Sequence, residues 1–288
     1  MRTFICTLLA LIAFAMNSIL CRLALGAATI DAASFSTIRL VSGAIMLLLM
    51  MALFKNQTPS HSRSNWASAA LLFLYAIAFS LAYIGLSASV GALILFGSVQ
   101  ATMIITALLK GERPHLLEWT GLFLALGGLF YLVSPGLTAP PFARAALMAV
   151  AGISWGFYTL RGRGAVDPLA DTTNNFVRAV PFAITVNVLM FSSLHISRKG
   201  FLLAALSGAL TSGVGYVIWY AALKGLTTTR AAMVQLAVPV LAAAGGVVLL
   251  SENISVRLVL SAFTILGGIG IALVGHQYLI QVKAEEQT

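Results

Sequence analysis

Two arginines interrupt otherwise apolar stretches: Arg39 in STIRLVSG and Arg178 in NNFVRAVP. An arginine in hydrocarbon costs at least about 2.5 kcal/mol, so something must compensate it. One reading is a structural side chain that snorkels its charge to water; the other is a vestibule charge that attracts a carboxylate. A second group has aromatic bodies and polar tips. Tyr75, Phe79 and Tyr83 recur at i, i+4 and i+8, which makes one stripe of a helix. Tyr216, Trp219 and Tyr220 form a similar cluster, Trp155 and Tyr158 another, and Asn17, Gln100 and Gln235 are isolated polar groups in apolar runs. Interfacial aromatic belts belong at the ends of membrane helices, whereas Tyr75, Trp155, Trp219 and Gln235 are central. Together they predict the lining of an apolar cavity with a few placed hydrogen-bonding groups, suited to a small amphiphilic solute. Chemistry of other kinds has no residues to work with. No HExxH, serine–histidine set or phosphate-binding glycine loop occurs, and the four histidines sit near the ends of apolar runs, so no catalytic set, metal or cofactor is expected. The acidic residues also cluster at those ends, which weakens a model of proton exchange through a buried carboxylate.

The elements that hold these residues follow from composition. Of 288 residues, 60% are hydrophobic and 9% are charged. A soluble domain carries about 25% charged residues, so water cannot be the solvent of this surface. The chain reads as an all-α, polytopic membrane protein with the lipid bilayer around it. The net charge of +9 points to basic loops on an anionic leaflet and not to nucleic acid. A span needs about 20 apolar residues. Ten runs qualify: 3–22, 32–54, 65–85, 88–109, 115–134, 142–160, 171–193, 199–222, 228–250 and 256–279. The longest polar segment between them runs from Lys55 to Asn65. The first run has no small-x-small cleavage pattern and reads as a retained helix. Cys6 and Cys21 lie on it about 22 Å apart, too far to pair.

The chain is written twice. A shift of 140 lays Gly85-Leu86 on Gly225-Leu226, Glu112 on Glu252 and Leu126-Gly127-Gly128 on Leu266-Gly267-Gly268. A shift of 139 lays Arg22 on Arg161 and Arg39 on Arg178. We read two five-helix repeats, 1–138 and 139–288. Five is odd, so the second enters the membrane the opposite way round, the architecture associated with alternating access. With the N-terminus cytoplasmic, ten basic residues face inward and five outward, which favours both termini inside. The glycine pairs and Gly270 read as helix-packing surfaces. Pro239 removes a backbone hydrogen bond beside Gln235 and predicts a kink there.

The segment Leu109-Lys110-Gly111-Glu112-Arg113-Pro114, followed by Trp119, Gly121 and Leu126-Gly127-Gly128, resembles the end of an EamA repeat, from the ten-helix branch of the drug/metabolite transporter superfamily. Pro239, Ser251-Glu252-Asn253 and Gly267-Gly268 resemble the second copy, and Ser154-Trp155-Gly156 resembles the small-Trp-Gly signature of the first repeat helix. Arg39 and Arg178 resemble the second-helix arginine of the family. The resemblance covers nearly the whole chain and is closest to the family's exporters of aromatic amino acids. It implies a bacterial inner-membrane exporter of aromatic and other neutral amino acids, with Trp155 in a central cavity; a monomer is compatible with it. Met16 and Val99 depart from the family's first-helix tryptophan and fourth-helix proline. A carrier of a drug, sugar or nucleotide-sugar, or a passive pore, stays open as the alternative.

Overall fold

The computed structural model describes residues 2–54, 65–86, 88–111, 116–133 and 141–250, then 256, 259–260 and 263–271. Ten helices account for the expected ten spans. These are α1 (Arg2–Leu25), α2 (Ala32–Phe54), α3 (Trp66–Tyr83), α4 (Ala88–Leu109) and α5 (Leu116–Val133). Then come α6 (Phe142–Gly162), α7 (Pro168–Leu189) and α8 (Arg198–Leu223). The ninth, α9, is Thr228–Gln235 and Ala237–Leu250 joined at Leu236, and α10 contains 263–271. Most of the Lys55–Asn65 segment, Glu112, Arg113, Pro114, Ser251-Glu252-Asn253, three of the four histidines and the C-terminal tail lie outside the described residues.

Local chemistry sets the helix starts. Asp31, Asn65, Asp167, Ser197 and Thr227 each accept a hydrogen bond from the backbone N–H three residues on, the N-cap geometry that relieves an orphan donor. Asp167 is followed by Pro168, whose missing N–H costs nothing at a first helical position. Inside the helices, hydroxyls such as Thr7, Ser36, Thr102 and Thr173 donate to the carbonyl four residues back, so their polarity is spent locally. Pro239 explains the break in α9. It leaves the Gln235 carbonyl without its i+4 donor, and the chain turns at Leu236. A second departure is Ser207–Val214 in α8, an eight-residue π-helical segment in which the Gly215 N–H reaches back to the Leu210 carbonyl.

Packing is set by small residues. A methyl group at Gly152 would stand 2.5 Å from the Leu95 carbonyl oxygen, so α6 lies directly on α4. Gly208 brings the π segment against the Arg39 carbonyl and Ser42 on α2. The glycine pairs divide: Gly128 and Gly268 lie at a contact of α5 with α10, whereas a methyl group at Gly127, Gly267 or Gly270 would meet nothing within 4 Å among the described residues. The helices that touch most closely are α3 with α6, α4 with α6, α2 with α7, α2 with α8, α1 with α8 and α1 with α9. Around them the outward faces carry Leu48, Leu53, Phe123, Phe142, Leu189 and Phe263, all exposed, which is the surface a bilayer would cover.

Loops are tied to one another at both ends of the bundle. At one end the α1–α2 turn pairs with the α7–α8 turn: Ile30 and Ile196 form an antiparallel bridge, the Asp31 N–H donates to the His195 carbonyl at 2.9 Å and the Ser197 N–H to the Thr29 carbonyl at 2.9 Å. The Asp31 carboxylate also accepts from the His195 N–H at 3.0 Å. At the other end Arg163 donates to the Leu226 carbonyl at 3.0 Å and to the Thr228 hydroxyl, and the Lys224 ammonium donates to the Val166 carbonyl at 3.1 Å.

Candidate functional site

The centre of the bundle is an aromatic box. Trp155 on α6 is its hub: ring centroids lie 5.2 Å away for Phe14, 5.1 Å for Tyr75, 5.8 Å for Tyr158 and 4.7 Å for Tyr216. Those partners come from α1, α3, α6 and α8. The Trp155 indole N–H donates to the Gln235 side-chain oxygen at 2.8 Å, which fixes the ring and ties α6 to the broken turn of α9. Gln235 in turn donates to the Ala231 carbonyl at 3.0 Å. Burial favours such a partner for an indole N–H.

Between these rings lies a cavity of about 20 Å³, lined by Phe14, Asn17, Ser18, Tyr75, Phe79, Leu95, Phe96 and Trp155. One water needs roughly 10–15 Å³ of such space, so the cavity holds little more than that. The wall is apolar apart from Asn17, Ser18 and the Tyr75 hydroxyl. Asn17 is held by α8: its side-chain oxygen accepts from Ser207 at 2.6 Å and from Thr211 at 3.2 Å.

Arg39 stands behind this wall and is 1% exposed. Its Nε donates to the Ser212 hydroxyl at 2.8 Å, and Nη2 donates to the Tyr216 hydroxyl at 2.8 Å and the Tyr75 hydroxyl at 3.4 Å. The guanidinium carbon is 5.2 Å from the Tyr75 ring centroid and 5.8 Å from that of Phe79, close enough for cation–π attraction. Arg178 is placed differently. It is half-buried, 5.9 Å from the Trp66 ring centroid at the start of α3, away from the box. A shared sequence position therefore does not give the two arginines a shared environment.

Of the residues singled out by sequence, Asn17, Tyr75, Phe79 and Trp155 line the cavity. Tyr158, Tyr216, Trp219 and Tyr220 are buried in the layer behind it, with the Tyr220 hydroxyl donating to the Tyr158 carbonyl at 3.2 Å. Tyr83 packs edge-on against Phe79 at 4.7 Å and does not line the cavity. Gln100 is buried between α4 and α9, where it donates to the Ala232 carbonyl. Sequence reasoning missed Phe14, Ser18, Leu95, Phe96 and the three α8 hydroxyls Ser207, Thr211 and Ser212. Phe14 had a signal, since it lies three residues before Asn17 on the same face of α1.

A family model described as the EamA-like transporter family matches the chain twice, over residues 1–134 and 144–274. An uncharacterized protein of Pseudomonas aeruginosa, PA1977, is 48% identical over 272 residues, 94% of either chain. A solved structure described only as a crystal structure of protein matches with a TM-score of 0.76 at 17% identity, covering 93% of this chain and 98% of the other. That likeness shows a shared fold.

Proposed function

This chain belongs to the EamA-like transporter family, whose members are multi-pass membrane transporters, and from that premise we propose that it exports small amphiphilic metabolites by alternating access. Neutral amino acids, the aromatic ones among them, are the favoured class. The observation that carries this reading is the aromatic cavity around Trp155, lined from α1, α3, α4 and α6, where both halves of the chain meet. Apolar walls with a few placed hydrogen-bonding groups select an apolar or aromatic body with a polar head.

Two inverted repeats, 1–138 and 139–288, supply the motion in this proposal. The double family match supports them. So does the contact pattern: α3 on α6 has its counterpart five helices on in α8 on α1, α4 on α6 in α9 on α1, and α2 on α8 in α7 on α3. Such a network can exchange its two halves' conformations and open the cavity to either side.

The excess of basic residues at the end carrying 163–167 and 224–227 supports an inner-membrane location with both termini cytoplasmic. In a background lacking Cys6 and Cys21, His195→Cys then reacts with an impermeant maleimide in intact cells, and Val166→Cys, 71% exposed, reacts only after permeabilisation. The reverse labelling pattern would invert the topology.

Counterflow in proteoliposomes tests the function. Labelled L-phenylalanine enters vesicles faster when they are preloaded with unlabelled L-phenylalanine, and uptake saturates. Linear uptake without trans-stimulation would mean a passive pore. Uptake of none of a panel of amino acids would remove them as the substrate class.

A further inference from the structure

Among the described residues, no opposite charge stands against the buried Arg39 guanidinium. Its three hydrogen bonds run to hydroxyl oxygens of Ser212, Tyr216 and Tyr75. Among the residues whose side chains are described, the acids are Asp31, Asp167 and Asp171. Asp31 is eight residues back on α2, about 12 Å along the helix. Its oxygens already accept from the Ser34 and His195 N–H groups. Asp167 and Asp171 belong to the opposite end. Thr37 donates to the Ala183 carbonyl, which sets the level of α2 against α7, and Asp171 is twelve residues before Ala183, about 18 Å along α7.

The guanidinium is also incompletely used. Nη1 is buried and has no hydrogen-bond partner among the described residues. Arginine carries five N–H donors in a planar fork that matches the two oxygens of a carboxylate. Here the fork is held from behind by Ser212 and Tyr216. In front stands Tyr75, through the longest of its three bonds, and the Tyr75 ring is itself a wall of the cavity. Tyr75 thus touches both the fork and the cavity.

A purely structural role explains less. Tying α2 to α3 and α8 needs hydrogen bonds but not a permanent charge or an unspent pair of donors. The three hydroxyls of the cradle are not repeated in the sequence. At a shift of 140, Ser212, Tyr216 and Tyr75 fall on Leu72, Ala76 and Gly215, none of which has a hydroxyl. The repeat-related Arg178 lies over Trp66. An unrepeated set of hydroxyls between two similar halves fits one bound anion per transport cycle.

Resting on the transport reading above, we propose that Arg39 is the anion-recognising group of the site and that the solute it selects is a carboxylate on an apolar or aromatic body. An amino group on that solute is tolerated but not required. The cavity wall offers an ammonium no carboxylate, and the Asn17 oxygen already accepts two hydrogen bonds. In this structure the two phenol oxygens hold the fork in place of the solute. When the carboxylate arrives it takes the Nη1 donors and displaces Tyr75 from Nη2.

The test uses the purified full chain and three probes: 3-phenylpropanoate, which has only the carboxylate, phenethylamine, which has only the amine, and L-phenylalanine, which has both. Thermal shift reads binding and counterflow reads transport. The wild type is stabilised by 3-phenylpropanoate and L-phenylalanine and not by phenethylamine. Arg39→Gln weakens the two carboxylates at least about tenfold, as losing a charge-assisted hydrogen-bond pair should. Arg39→Lys keeps the charge but loses the fork, and is weakened by a smaller factor. It decides the matter should Arg39→Gln fail to fold. Stabilisation by phenethylamine equal to that by 3-phenylpropanoate, an unchanged carboxylate preference in the Arg39 variants, or no stabilisation by either carboxylate would overturn the assignment. Arg39-dependent carboxylate binding without any counterflow would leave the anion site standing and remove the transport reading. Counterflow of phenethylamine alone would do the opposite.

Discussion

Cysteines at positions 30 and 196, in a chain whose Cys6 and Cys21 are replaced by serine, oxidise to a disulfide that stops transport, and a reductant restores it. The backbone geometry requires this pairing. The Asp31 N–H reaches the His195 carbonyl and the Ser197 N–H reaches the Thr29 carbonyl, so Ile30 and Ile196 face each other as a non-hydrogen-bonded antiparallel pair. Such pairs have Cα atoms about 4.5 Å apart, within the roughly 4.4–6.8 Å that a disulfide spans. The two turns belong to different halves of the chain. Alternating access demands that they part in each cycle, and a covalent bond forbids it. Vesicle counterflow of the oxidised Ile30→Cys/Ile196→Cys variant should fall below about a tenth of its reduced rate, because closure and opening are then blocked and not merely slowed. Each single variant is indifferent to oxidant. A cross-linked double variant that transports at full speed would show that this end does not open.

The pairing of residues 30 and 196 as a closure is one the sequence does not offer, and the reason is physical. Hydropathy locates helices because the bilayer demands long apolar runs, so all ten were legible. It fails where polarity is buried inside protein. Residues 171–175 read as the polar start of the seventh span, yet α7 begins at Pro168, and Asp171, Thr172, Thr173 and Asn175 are all buried. Hydroxyl back-bonding to Pro168 and Leu169 lets Thr172 and Thr173 enter the core. The α3 stripe was legible because α3 keeps its 3.6-residue period, and Tyr75 and Phe79 do share the cavity wall.

In α8 that period breaks. Five residues in an α-helix overshoot one turn by about 140°, which would set Ser207 and Ser212 on different faces. The π segment places residues i and i+5 one turn apart. Ser207 can then serve Asn17 while Ser212 serves Arg39. No residue in SGALTSGV announces that winding, so the cradle of Arg39 could not be read from spacing. The same limit applies to Arg178: the shift of 139 matches it to Arg39, but its contact with the Trp66 ring on α3 is not legible in that match.

Trp155→Ala should be the most damaging single change in the site. The indole touches rings from α1, α3, α6 and α8 and donates to Gln235, so its removal acts on packing and polarity together. Truncating a core tryptophan costs about 3–5 kcal/mol. Leaving the Gln235 oxygen without its donor adds about 1–3 kcal/mol. Counterflow should drop at least about tenfold relative to wild type at equal folded protein, since a solute in the enlarged space loses its oriented aromatic wall. Trp155→Phe separates the two causes. It keeps an aromatic ring but orphans Gln235, so its melting temperature falls. Adding Gln235→Leu removes the orphan and recovers part of that loss, with a coupling energy of about 0.5–3 kcal/mol for groups in direct contact. Additive losses in the double variant would mean that the 2.8 Å bond between Trp155 and Gln235 contributes nothing. A Trp155→Ala protein that transports normally would remove the aromatic box from the transport site, because Trp155 is the hub on which its walls meet.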